Sequence, residues 1–248
     1  MKIRISKRLW FRVATILLAV FASYLVLLCF PQPFFQWSVT SSNLTLYSDS
    51  SFSPEDGRRI LELVEAKLAA SPLFSAQMHH SIFICNARWR QLFFFNRQYR
   101  VGGVNYYPLT SNVFLRDAVI EGNQLISPSG QAVQGDRTLA YFITHEISHT
   151  ITKEEAGLYR HFNLPEYVRE GYPDYVAKGN AFHYEEARRA FLSEAPEMDR
   201  WKSGLYLRYH LLVAHLLEKE NWSVRQLIEG PPEQRAAEEA VRKEVPLD

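Results

Sequence analysis

The sequence predicts an α+β fold preceded by one membrane-spanning helix. Three observations carry this reading. Segments that alternate apolar and polar residues are confined to the first half of the chain, and from Asp136 onward the apolar spacing is helical. Ahead of both, Val13 to Phe30 runs for 18 residues without a charge, just enough to cross a hydrocarbon layer as a helix.

Residues 1–12 carry Lys2, Arg4, Lys7, Arg8 and Arg12 and no acid. Positive charge beside an apolar span stays in the cytoplasm, so the rest of the chain is expected on the far side, periplasmic or extracellular. Phe34, Phe35 and Trp37 supply an aromatic flank suited to a membrane interface. Val20-Phe21-Ala22 has the spacing of a signal-peptidase site. Because the chain stays apolar through Phe35, an uncleaved anchor is the reading adopted for residues 13–30. Residues 31–42 read as a linker, and 43–248 as the folded domain.

Within that domain Leu44 to Tyr47 alternates as a strand. Ser53-Pro54-Glu55-Asp56 opens a helix with a hydroxyl cap, a first-position proline and two acids facing the positive end of the dipole. That helix presents Ile60, Leu61, Val64 and Leu68 on one face and stops near Ser71-Pro72. Ser81 to Cys85 reads as a second strand, with His79-His80 exposed ahead of it. Phe93 to Phe95 and Val104 to Tyr107 suggest an aromatic strand pair about Gly102-Gly103, and Asn112 to Ile120 an edge strand. Asp136 is placed to cap a helix with Leu139, Phe142 and Ile143 toward the core. Helical segments follow around Pro173 to Ala177, at Tyr184 to Leu192 and at Leu205 to Lys219. The charged tail from Pro231 reads as a loosely packed helix.

Composition narrows the function classes. The chain is 47% hydrophobic and 22% charged, ordinary for a globular protein. Its net charge is +1, but the basic start accounts for +5, leaving the remainder at −4. A weakly acidic body argues against nucleic acid as a partner. Two cysteines, Cys29 in the apolar span and Cys85 in a strand, make no disulfide framework.

The chemistry lies in His145-Glu146-Ile147-Ser148-His149. Two histidines four apart leave one face of a helix a turn from each other and can close on one ion, and Glu146 can reach a water held there. A catalytic zinc needs a third protein ligand and one open position. The spacing for a third histidine on the same stretch is absent, since Thr152 and Glu155 occupy the positions it requires. Candidates are therefore acids downstream, Glu166 or Glu170 in Pro165-Glu166-Tyr167-Val168-Arg169-Glu170-Gly171-Tyr172-Pro173-Asp174.

Here the chain resembles the Glu-zincin metallopeptidases, specifically at HExxH and at the Glu-Gly pair, and loosely elsewhere between about Leu44 and Gly230. The resemblance implies a zincin-like fold: an N-terminal mixed sheet with helices, a central HExxH helix and a C-terminal helical part. It implies one Zn2+ per chain held by His145, His149 and Glu170, with Glu146 as general base. It also implies that Asp174 accepts the free ring N–H of His145, that Tyr206 (with Tyr209 and His210 as rivals) serves the oxyanion, and that the strand at Asn112 to Ile120 pairs with an extended peptide substrate. Pro173 fits only a first helical turn, so the helix carrying Asp174 is expected to begin near Gly171 to Tyr172, leaving Glu170 on a turn. The expectation is a membrane-anchored zinc peptidase acting on a peptide or protein. Its alternatives are a zinc amidase for a non-peptide amide and a tethered binding or assembly module with structural zinc or an inactive site.

Overall fold

The computed structural model describes residues 7–98 and 100–244, so Lys2 and Arg4 of the basic start lie outside the described residues. Helix α1 (Lys7–Cys29) is long and apolar enough to cross a membrane and stands mostly exposed. Its C-terminal end is packed: Leu28 is buried, and the Asn112 amide donates to the carbonyls of Leu28 and Cys29 at 2.9 and 3.1 Å.

The fold is α+β. Strands β1 (Trp37–Ser41) and β2 (Leu44–Ser48) form a hairpin, and α2 (Pro54–Leu68) leads to β3 (His80–Cys85). Next come α3 (Arg88–Phe95), β4 (Gly103–Asn105) and β5 (Val113–Arg116), then a small second sheet of β6 (Ala118–Val119) and β7 (Gln124–Leu125). The five-stranded sheet runs β1-β2-β3-β5-β4, with β2, β3 and β5 parallel and both outer pairings antiparallel. It is therefore a mixed sheet.

The second half is helical among the described residues: α4 (Leu139–Ala156), α5 (Leu158–Asn163), α6 (Glu166–Lys178), α7 (Tyr184–Leu192), α8 (Arg200–Ser203), α9 (Leu207–Ala214), α10 (Val224–Glu229) and α11 (Gln234–Lys243). Helix α4 is the centre of the molecule. Every residue from Leu139 to Thr152 is buried, as expected of a helix packed on all sides. It contacts α2, β4 and β5 on the sheet side and α6 on the other.

Several sequence expectations are corrected. Residues 37–41, read as linker, form the edge strand β1, with Trp37 to Ser41 paired to Ser48 to Leu44. Phe93 to Phe95 are helical in α3, because the Asp49 carboxylate accepts from the backbone N–H groups of Asn86 and Ala87 (2.8 and 2.9 Å) and fixes the helix start. His80 is buried in β3 rather than exposed. Strand β5 is interior and buried at all four positions, and the edge beside it is β4. Thr138, not Asp136, caps α4 by accepting from the N–H of Tyr141, while Asp136 pairs with Lys178 at 3.3 Å. The tail is packed through Ala237 and Val241 of α11.

Candidate metal centre

Helix α4 carries His145 and His149 one turn apart, and α6 carries Glu170 opposite them. The two Nε2 atoms lie 3.1 Å from each other. Glu170 Oε2 is 3.8 Å from that of His145 and 3.5 Å from that of His149. The point equidistant from three atoms so spaced is about 2.0 Å from each, the length of a zinc–nitrogen or zinc–carboxylate bond. Two imidazoles and a carboxylate are a zinc donor set, so the residues fit that ion in chemistry and in spacing. Glu166, the other candidate acid, is engaged elsewhere, with Arg200 and with the Tyr209 hydroxyl at 3.1 Å.

The charges are mutually dependent. Burial opposes ionisation of Glu170, but hydrogen bonds and charge from His145 and His149 hold its carboxyl well below the usual range. Burial likewise opposes a charge on His145, and Glu170, Glu146 and Asp174 outweigh it to raise that imidazole. A cation among these groups would do the work that protons do otherwise.

Glu170 lies within α6, not on a turn ahead of it. The helix begins at Glu166 and carries Pro173 in its interior. The proline removes one helical hydrogen bond, to the carbonyl of Arg169, yet it is buried and the flanking turns pack against α4 and α9. Gly171 explains why the next helix comes so near. A β-carbon there would lie 2.6 Å from the carbonyl oxygen of Tyr209 and 2.8 Å from its carbon, both backbone atoms of α9. Gly171→Ala is expected to cost about 1–3 kcal/mol by overpacking and to weaken metal binding at the adjacent Glu170. Denaturant unfolding with a zinc titration checks this, and a variant indistinguishable from the parent in both would contradict it.

Asp174 does not meet His145. One oxygen accepts from the Tyr141 hydroxyl, the other pairs with His210 Nδ1 at 2.8 Å, and Lys178 Nζ is 3.9 Å away. The cause is helix direction. Four residues forward along α6, from Glu170 to Asp174, match four residues back along α4, from His145 to Tyr141, so the acid falls opposite the tyrosine. His145 Nδ1 is left buried without a hydrogen-bond partner.

Glu146 points into a cavity of about 560 Å³ that it lines with His145, His149, Glu170 and Tyr206. Two groups not expected from sequence hold it. Asn105 of β4 donates from Nδ2 to Glu146 Oε2 at 3.0 Å, and its Oδ1 accepts from Lys153 Nζ at 2.7 Å. Lysine can only donate, so the amide must turn its nitrogen toward the carboxylate. Gly103 packs against the Glu146 side chain, where a β-carbon would come within 2.6 Å of Cγ. Lys153 lies seven residues beyond Glu146 on the same face of α4, a spacing visible in the sequence; Asn105 had no such signal. His161 also lines this cavity, its imidazole pushed down to about 3 by burial and then by the charge of Lys153.

Tyr206, at the start of α9, stacks on His145 with ring centroids 5.6 Å apart and planes 10° from parallel. Burial, with Glu170 next, pushes its phenol up. Of the three oxyanion candidates Tyr206 alone lines the cavity: His210 is buried against Asp174, and Tyr209 is bonded to Glu166. The chain was compared with known protein families and with curated proteins, and neither comparison finds a match.

Proposed function

We propose that this chain is a membrane-anchored zinc peptidase of the Glu-zincin kind, with a zincin-like fold and its catalytic domain outside the cytoplasm. The observation that carries the proposal is the convergence of His145, His149 and Glu170 on one point, at the wall of a cavity that also holds Glu146. Among the described residues this metal-ligating group has three members and faces open space. An open position favours catalysis over a structural ion or an assembly module.

When bound, zinc lowers the pKa of a coordinated water to about 7 and polarises a carbonyl oxygen. Glu146, steadied by Asn105, takes the proton of the attacking water and passes it to the leaving amine. The Tyr206 hydroxyl donates to the oxygen on which negative charge develops. Strand β4 has β5 on one side and the cavity on the other, so its free backbone groups suit an extended peptide, which supports peptide over other amides. The uncharged span of α1 and the basic residues before it support the anchored topology.

The reading is tested on the full-length protein in detergent. Zinc-dependent hydrolysis of a quenched-fluorescence peptide library is expected, abolished by a chelator and restored by zinc. Absence of hydrolysis from a protein shown to hold zinc would defeat the proposal. Tyr206→Phe should keep its zinc and lose roughly 10²–10³-fold in kcat, the cost of removing one oxyanion donor. A fall confined to KM would remove Tyr206 from that role.

A further inference from the structure

The cleft continues past the metal centre into a second cavity of about 300 Å³, and the two share His145, Glu146, Arg200 and Tyr206 as walls. Three arginines, Arg100, Arg137 and Arg200, line this second cavity against a single acid, Glu146. The body outside the basic start carries −4, so the sign of charge is reversed here. Arg200 is already matched by Glu166. Among the described residues, no carboxylate lies within ion-pair distance of Arg100 or Arg137.

Arg137 is built to stay in place. Its guanidinium carbon lies 4.9 Å from the ring centroid of Phe142 and 5.6 Å from that of Tyr141. One Nη donates to the Gly204 carbonyl at 3.3 Å, while its buried Nε has no partner. A guanidinium shelved on two rings keeps a fixed plane and offers its fork of N–H groups to a planar acceptor. Of the common planar acceptors, a carboxylate takes two such bonds at once and supplies the missing charge. Gly102 and Gly103, at the start of β4, also line this space, so a chain laid along that edge would bring a side chain or its own end into it.

Resting on the peptidase reading, we infer that Arg137 and Arg100 form a subsite for a substrate carboxylate, selecting peptides with an acidic side chain or a free C-terminus next to the scissile bond. The subsite is a specificity device: it touches a neighbouring part of the substrate and takes no part in breaking the bond.

Binding tests this without requiring turnover. Three fluorescent peptides of equal length are titrated against full-length, zinc-loaded Glu146→Gln protein. One has a central glutamate and an amidated end, one has glutamine and a free C-terminal carboxylate, and one is neutral at both places. At least one acidic peptide is expected to bind roughly tenfold or more tighter than the neutral one, as charge-assisted hydrogen bonds require. Which of the two wins identifies the source of the carboxylate. Adding Arg137→Gln should collapse the advantage. Arg100→Gln, at an exposed position where folding is not in question, should reduce it several-fold. Equal affinity for all three peptides, or an advantage that survives both substitutions, would overturn the subsite. The same peptides given to the parent protein separate the two proposals. Cleavage without carboxylate preference sinks the subsite alone, and selective binding without cleavage of any peptide sinks the peptidase alone.

Discussion

Replacing Glu146 by glutamine is expected to leave zinc in place and to cut peptide hydrolysis by about 10²–10⁴-fold, the usual contribution of a general base. Glu146 is not one of the three converging donors, so neutralising it removes no metal ligand. Glutamine has the same shape, and its side-chain oxygen can still accept the Asn105 hydrogen bond that now holds the carboxylate at 3.0 Å. Its amide, however, cannot take a proton from water. Metal content by atomic emission and kcat on one peptide are the paired measurements. Loss of zinc would mean that Glu146 helps to hold the ion, and retained hydrolysis would mean that another group takes the proton.

The largest effect on stability is expected from Asp174→Ala, about 3–5 kcal/mol, because removing the carboxylate strands the buried Tyr141 hydroxyl and His210, while Lys178 keeps Asp136. Asp174 is 1% exposed and joins the Tyr141 hydroxyl, His210 and Lys178 across α4, α6 and α9. Burial opposes its ionisation, but the His210 hydrogen bond and charge, with Lys178, bring the carboxyl down to about 2. A carboxylate depressed below its unfolded value of about 3.9 contributes fully above that pH and loses its contribution as the pH falls through the folded value. The parent and the alanine variant should therefore differ most in urea unfolding near neutrality and converge as the pH falls toward 2. A difference under 1 kcal/mol at pH 7, on the scale of an exposed ion pair, would show that the network contributes nothing particular to the fold.

The central helix was legible because its signals are local. Two histidines and a glutamate at fixed spacing announce their common face, and the apolar residues around them bury it. Glu170 was legible by resemblance, and Gly171 has a physical reason only once α9 is seen against it. What the sequence concealed depends on partners distant in the chain. Val113, Phe114 and Leu115 form a continuous apolar run, the mark of a strand covered on both faces. The wider alternation from Asn112 to Ile120 suggested an edge instead, and the true edge at Gly103 to Asn105 is only three residues long. The partner of Asp174 turned on the relative direction of α4 and α6, which no single segment encodes. Asn105, in a segment read as a strand, and Arg137 carry no spacing signal of their own and gain meaning only from where the sheet and α4 bring them.

X-ray absorption at the zinc edge, with metal stoichiometry, tests the metal centre most directly. Full-length protein purified with zinc is expected to hold one ion per chain, with nitrogen and oxygen donors at about 2.0–2.2 Å, and His149→Ala to hold none and to unfold more readily. A parent protein that takes up no zinc, or a His149→Ala protein that keeps the same ion with the same donors, would contradict it.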